Sequence, residues 1–135
     1  MAKPDRVTEA LRTRGVAERV LKGGLVGLVE AWERFGGELE RGYAGNLDQW
    51  LNDVDVRDIL DTAMRAATDD ERRSLRRRVR LADESVRLNL MPSGRCLWGA
   101  KNAAKHGWSA GRQWWYFLEP KRKNPELARQ IAAQE

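Results

Sequence analysis

Residues that support covalent or metal chemistry are scarce in this sequence, which has one cysteine, one histidine and four prolines among 135 residues. The lone Cys96 cannot close a disulfide within the chain, so nothing in the fold requires an oxidising compartment, and a cytoplasmic setting is the expectation. Cys96 and His106 would have to meet in space beside an orienting group to form a nucleophilic pair, and their separation suggests no such pair. Cys96, next to Leu97 and Trp98, reads as a small core residue, and His106, just before Gly107, reads as a cation at a helix C-terminus. No phosphate-cradling glycine loop, zinc spacing or serine-centred elbow is present. We therefore expect no enzyme activity, no metal and no small-molecule cofactor. Long apolar runs are missing as well. The most apolar stretch, residues 21–29, is interrupted by Lys22 and three glycines and falls far short of the ~20 residues that span a bilayer. Residues 1–15 carry no apolar run of signal-peptide length, and no membrane association is expected.

What is present suits a small helical protein. Apolar residues make up 41% of the chain and charged residues 33%, enough to build one core under a heavily charged surface. The expected fold class is all-α: a compact bundle of about five helices in one domain over residues 1–135, with an aromatic-rich irregular C-terminal segment. Residues 1–5 and 120–135 are the segments expected to be loose.

An opening helix is expected from Pro4 or Asp5, on Val7, Leu11, Ala17 and Leu21, with its end obscured by Gly15, Gly23 and Gly24. Leu25, Leu28, Val29, Trp32, Phe35 and Leu39 then form the clearest helical stripe. Gly23 and Gly27, four apart, suggest close approach of a neighbouring helix. After a turn near residues 42–46, Leu47, Trp50, Leu51 and Val54 resume a helical pattern. A break is expected at 53–55, with Asp55 capping a further helix that ends near Ala67. Thr68 and Glu71 form a capping box, and Leu75, Val79, Ala82 and Val86 carry the next core face. A short helix within residues 97–105 should end at Gly107. Residues 114–118 fit either a strand or one helical turn. Asn124 and Pro125 open a last helix to about Ala133.

Charge is sorted along the chain. Residues 30–61 hold nine carboxylates against three arginines, whereas residues 72–123 hold fourteen cations against three carboxylates. Asp53 and Asp55 have the spacing of the first two calcium-loop ligands, but Arg57, Asp58 and Met64 occupy positions where such a loop needs a ligand, a glycine and a glutamate. Asp55, Asp58 and Asp61 instead share a helical face, as a solvated or salt-bridged row.

The arginine run at residues 72–80 is the sharpest local feature, with Arg73, Arg76, Arg77 and Arg80 on one face. Such a row could track phosphates. Alternatively, two antiparallel neighbours would set it against the acids of residues 48–61. Six of the ten aromatic residues fall within residues 98–117, among Lys101, Lys105 and Arg112. They could be stacking platforms for single-stranded nucleic acid, interface anchors, or bulky closure of the core. Trp114 and Trp115 cannot both point the same way on a helix or strand, so one of them is expected to be partly exposed and available for contact.

The leading expectation is a non-enzymatic protein-binding module, of adaptor or inhibitor type. Its candidate contacts are Arg73, Arg76, Arg77, Arg80, Trp108, Arg112, Trp114 and Trp115, and its partner is another protein or a second copy of itself. The alternative is a nucleic-acid-binding protein using the arginine stripe and the basic aromatic segment 98–123.

Overall fold

The computed structural model describes residues 5–134. Six helices and a two-stranded ladder follow one another: α1 (Arg6–Arg14), α2 (Glu18–Arg41), α3 (Leu47–Ala66), α4 (Asp69–Leu88), β1 (Leu90–Pro92), α5 (Ala100–His106), a 3-10 turn (Trp114–Tyr116), β2 (Leu118–Pro120) and α6 (Pro125–Ala133). The fold is all-α, with a short antiparallel sheet pairing Leu90 with Pro120 and Pro92 with Leu118.

Helix α2 is the centre. Its buried stripe of Leu21, Leu25, Leu28, Val29, Trp32, Phe35 and Leu39 packs against α1, α3 and α4. The opening pattern is split, because Gly15 adopts a left-handed conformation and ends α1, so Leu21 belongs to α2. Within α2, Gly24 has φ 59° and ψ −158°, a region open essentially to glycine alone, and the helix kinks there. Aromatic rings fill the middle of the core. Trp32 stacks on Phe35 with centroids 5.4 Å apart, Phe35 meets Trp50 at 5.6 Å, and Trp50 meets Tyr43 edge-on at 4.9 Å.

Close helix approach occurs at Gly36 and not at the glycines singled out by spacing. A Cβ built on Gly23 or Gly27 meets nothing within 4 Å, whereas one on Gly36 would stand 2.8 Å from Ser85 Oγ and 3.5 Å from Val86 Cγ2 of α4. Gly36→Val should therefore push α4 off α2 and lower stability by about 1–3 kcal/mol. Urea denaturation of Gly36→Val beside Gly27→Ala, which should cost nothing, checks the contrast.

Helix α3 runs unbroken through residues 53–55, contrary to the break and the Asp55 cap expected there. Its true N-cap is Asn46, in a capping box with Gln49. Aspartates weaken a helix interior when they compete for local backbone groups, but Asp53 and Asp55 are engaged by side chains from elsewhere, and Val54 between them is fully buried. Helix α4 begins at the expected Thr68–Glu71 capping box and buries Leu75, Val79, Ala82 and Val86.

The C-terminal region is packed where looseness was expected. Asn124 caps α6, whose Leu127 and Ile131 are buried, and Gln130 accepts the Leu47 N–H at 2.8 Å. These long-range bonds are invisible to local composition. The expectation for residues 1–4 and 135 lies outside the described residues. Among the described residues, no helix is long and apolar enough to cross a membrane.

Candidate functional site

Helix α4 carries the arginine row because its core face takes only every third or fourth position, which leaves the opposite face to solvent. Arg73, Arg76, Arg77 and Arg80 are all exposed. Arg73 makes a surface pair with Asp70 of its own first turn at 3.0 Å. Among the described residues, Arg76, Arg77 and Arg80 have no carboxylate within ion-pair distance. The two remaining arginines of the run have partners within the protein. Arg72 donates to the Ala67 carbonyl at 2.7 Å, closing the end of α3. Arg78 pairs with Glu33 of α2 at 2.6 Å, and this hydrogen bond holds the Glu33 carboxyl below its usual range.

The opposed acidic and basic rows weighed above do not form. Helix α4 lays its face on α2, so the carboxylates of α3 find other partners. Tyr43 donates to Asp53 at 2.6 Å, and Tyr116 donates to Asp55 at 2.5 Å. Arg14 reaches Asp55 at 3.4 Å and Asp58 at 2.6 Å, and Arg65 reaches Asp61 at 3.3 Å. Burial would lower the Arg14 pKa, but the bond to Asp58 and the field of both aspartates outweigh it and raise the value. Among the described residues, no three His, Cys, Asp or Glu side chains assemble into a metal-binding group.

Burial, then the hydrogen bond to a carboxylate, raises both phenol pKa values. A phenol whose folded pKa lies above its unfolded value of about 10 stabilises the fold fully below that pH, and the contribution is lost as pH rises beyond it. Tyr43 and Tyr116 are the only tyrosines in the chain. Tyrosinate absorbance near 295 nm should therefore stay silent on alkaline titration until the fold is lost, then rise together with loss of helical circular dichroism. A tyrosine titrating near pH 10 in the folded protein would contradict this.

The aromatic segment is mostly core. Trp114 and Trp115 are 9% and 2% exposed, which corrects the expectation that one of them would be available. They do diverge, at an interplanar angle of 78°, but elements cover both directions. Trp114 lies 6.3 Å from Trp32 and beneath the Arg87 guanidinium at 4.7 Å. Trp115 lies beneath Arg57 of α3 at 4.8 Å. Trp108 is half-buried, with the His106 and Tyr116 rings 4.6 and 4.3 Å away by centroid. Arg112 is exposed in the loop before the 3-10 turn, where its backbone N–H donates to Ser109 Oγ at 3.3 Å. His106 ends α5 as expected. Cys96 is buried, and burial pushes its thiol pKa up, which suppresses the reactive thiolate.

Sequence reasoning missed the apolar part of the α4 surface. Leu81 is 48% and Leu88 73% exposed. Arg77, Leu81, Glu84 and Leu88 follow at i, i+4, i+7 and i+11, one line along the helix beside the arginine row. The signal was available, since both leucines fall out of register with the core positions 75, 79, 82 and 86. No family model, curated protein or solved structure matches the chain.

Proposed function

We propose that this protein is a small non-enzymatic binding module that uses the outer face of α4 to hold a protein partner presenting an acidic amphipathic segment. The observation that carries the proposal is the solvent-facing trio Arg76, Arg77 and Arg80, without ion-pair partners among the described residues, beside the exposed Leu81 and Leu88. Guanidiniums set around apolar anchors characterise protein interfaces, where arginine is enriched and a few apolar anchors carry much of the energy. Pairing of this face with its own copy would set like charges together and is disfavoured. A cytoplasmic setting belongs to the same proposal, supported by the single buried Cys96.

Nucleic acid is the second candidate, and the structure gives it less support. A phosphate backbone rewards the cations but not Leu81 and Leu88, and the buried Trp114 and Trp115 offer no stacking platform. The two readings separate by experiment. An immobilised full chain should retain a stoichiometric protein at low salt, an Arg76/Arg77/Arg80→Gln variant should lose it, and Leu88→Ser should weaken it. Retention of the same partner by both variants, or salt-sensitive binding of a single-stranded oligonucleotide that Leu88→Ser leaves intact, would overturn the proposal.

A further inference from the structure

A cleft of about 410 Å³ opens where the last turn of α4, the end of β1 and the aromatic turn meet. That volume lies within the ~300–1,000 Å³ typical of small-molecule sites. Its walls include Pro92, Trp114, Phe117 and Leu118, and among the described residues its charged groups are Arg87 and Arg95, with no carboxylate lining it. Both arginines are held in place without being neutralised. Arg87 rests on the Trp114 ring at 4.7 Å, and Arg95 donates one N–H to the Ile131 carbonyl at 2.8 Å. Neither has a carboxylate within ion-pair distance among the described residues. A guanidinium carries five N–H donors, so each keeps donors for a ligand. An apolar wall beside two positioned forks matches one chemistry: a flat or branched apolar body bearing an oxyanion, with the fork geometry suited to carboxylate.

We propose that this cleft binds carboxylic acids with an aromatic or branched aliphatic body, packed against Pro92, Phe117 and Leu118 and held by Arg87 and Arg95. The site is separate from the α4 face proposed above, since Arg73, Arg76, Arg77 and Arg80 do not line it. The acid can be a free small molecule or the C-terminal residue of a peptide. The side chain of Trp114 forms part of the wall, so its indole N–H resonance reports occupancy directly.

The test is an NMR titration of the ¹⁵N-labelled full chain with 1-naphthoate, its neutral amide 1-naphthamide, acetate, and N-acetyl-leucyl-phenylalanine. The Trp114 indole resonance should shift and saturate with 1-naphthoate, while the amide and acetate bind at least ~10-fold more weakly. Arg87→Gln and Arg95→Gln should each weaken naphthoate by at least ~10-fold, as expected for loss of a charge-assisted hydrogen bond, and leave the amide unaffected. Arg129→Gln, on α6 and outside the residues lining the cleft, should change nothing. Arg95→Gln keeps the cover over Trp114 and so separates ligand recognition from local packing. Tighter binding of the peptide acid than of naphthoate identifies a peptide C-terminus as the source, and weaker binding identifies a free acid. Equal binding of acid and amide, undiminished binding by Arg95→Gln, or a Trp114 resonance unmoved by both acids overturns the proposal.

Discussion

Replacing Asp83 with Ala is expected to lower the unfolding free energy by about 3–5 kcal/mol, a large fraction of the ~5–15 kcal/mol that stabilises a typical domain. Asp83 accepts from Arg57 Nε at 2.8 Å, from Arg57 Nη2 at 3.1 Å and from Trp32 Nε1 at 2.8 Å. One carboxylate thereby joins α4 to α3 and α2. The side chains of Arg57 and Asp83 are only 12% and 19% exposed, so water can do little to replace the lost partner. Truncation leaves the guanidinium with only the distant Asp61 carboxylate at 4.0 Å and the indole N–H without its acceptor, and the guanidinium dominates the loss. The double variant Arg57→Met/Asp83→Leu, which removes both charges, should recover a substantial part of it. Equilibrium urea unfolding of the two variants, taken as a cycle with Arg57→Met, measures the coupling. If Asp83→Ala unfolds within 1 kcal/mol of the parent, the bridge does not exist in solution.

A second large effect is expected on binding with almost none on stability. Among the described residues Arg76, Arg77 and Arg80 make no ion pairs, and Arg76 and Arg80 stand at i, i+4 as like charges, a spacing that costs about 0.2–0.5 kcal/mol. Neutralising all three to Gln should leave stability within about 0.5 kcal/mol of the parent. Reversing them to Glu should weaken the proposed acidic partner by about two to three orders of magnitude, because each contact turns from attraction to repulsion. Affinity for that partner should also fall as salt screens the exposed charges. Calorimetry at two ionic strengths, with thermal unfolding of the same variants, checks both halves. Loss of stability in the Gln variant would place these arginines in internal pairs after all.

The contrast between Asp83 and the arginine row shows what the sequence could and could not reveal. Helix-spaced stripes and caps are local, so residues 25–39, the Thr68–Glu71 box, the core face of α4 and the Asn124–Pro125 start were legible before any coordinates. Helix α3 was misread because its interior aspartates are engaged by Tyr43, Arg14 and Tyr116, the last of these 61 positions from Asp55. Trp114 and Trp115 were misjudged for a related reason. Their divergence follows from local geometry, but whether each direction is covered depends on where α2, α3 and α4 lie. The candidate site was half legible. The row itself could be read from spacing, whereas its freedom from internal carboxylates required knowing that α4 docks on α2 and leaves the acids of α3 to other partners. Leu81 and Leu88 were readable as residues out of register with the core, and they are what the proposed protein interface adds to a basic stripe.

Arginine-selective labelling is the most direct check on that surface. Brief treatment of the folded chain with phenylglyoxal, followed by digestion and mass spectrometry, ranks the guanidiniums by accessibility. Arg76, Arg77 and Arg80 should react at rates close to those in the unfolded chain, while Arg57, clamped between Asp83 and the Trp115 ring, should be protected at least ~10-fold. Protection of the three α4 arginines to the same degree as Arg57 would mean that their charges are spent inside the molecule, and the recognition surface would be lost with them.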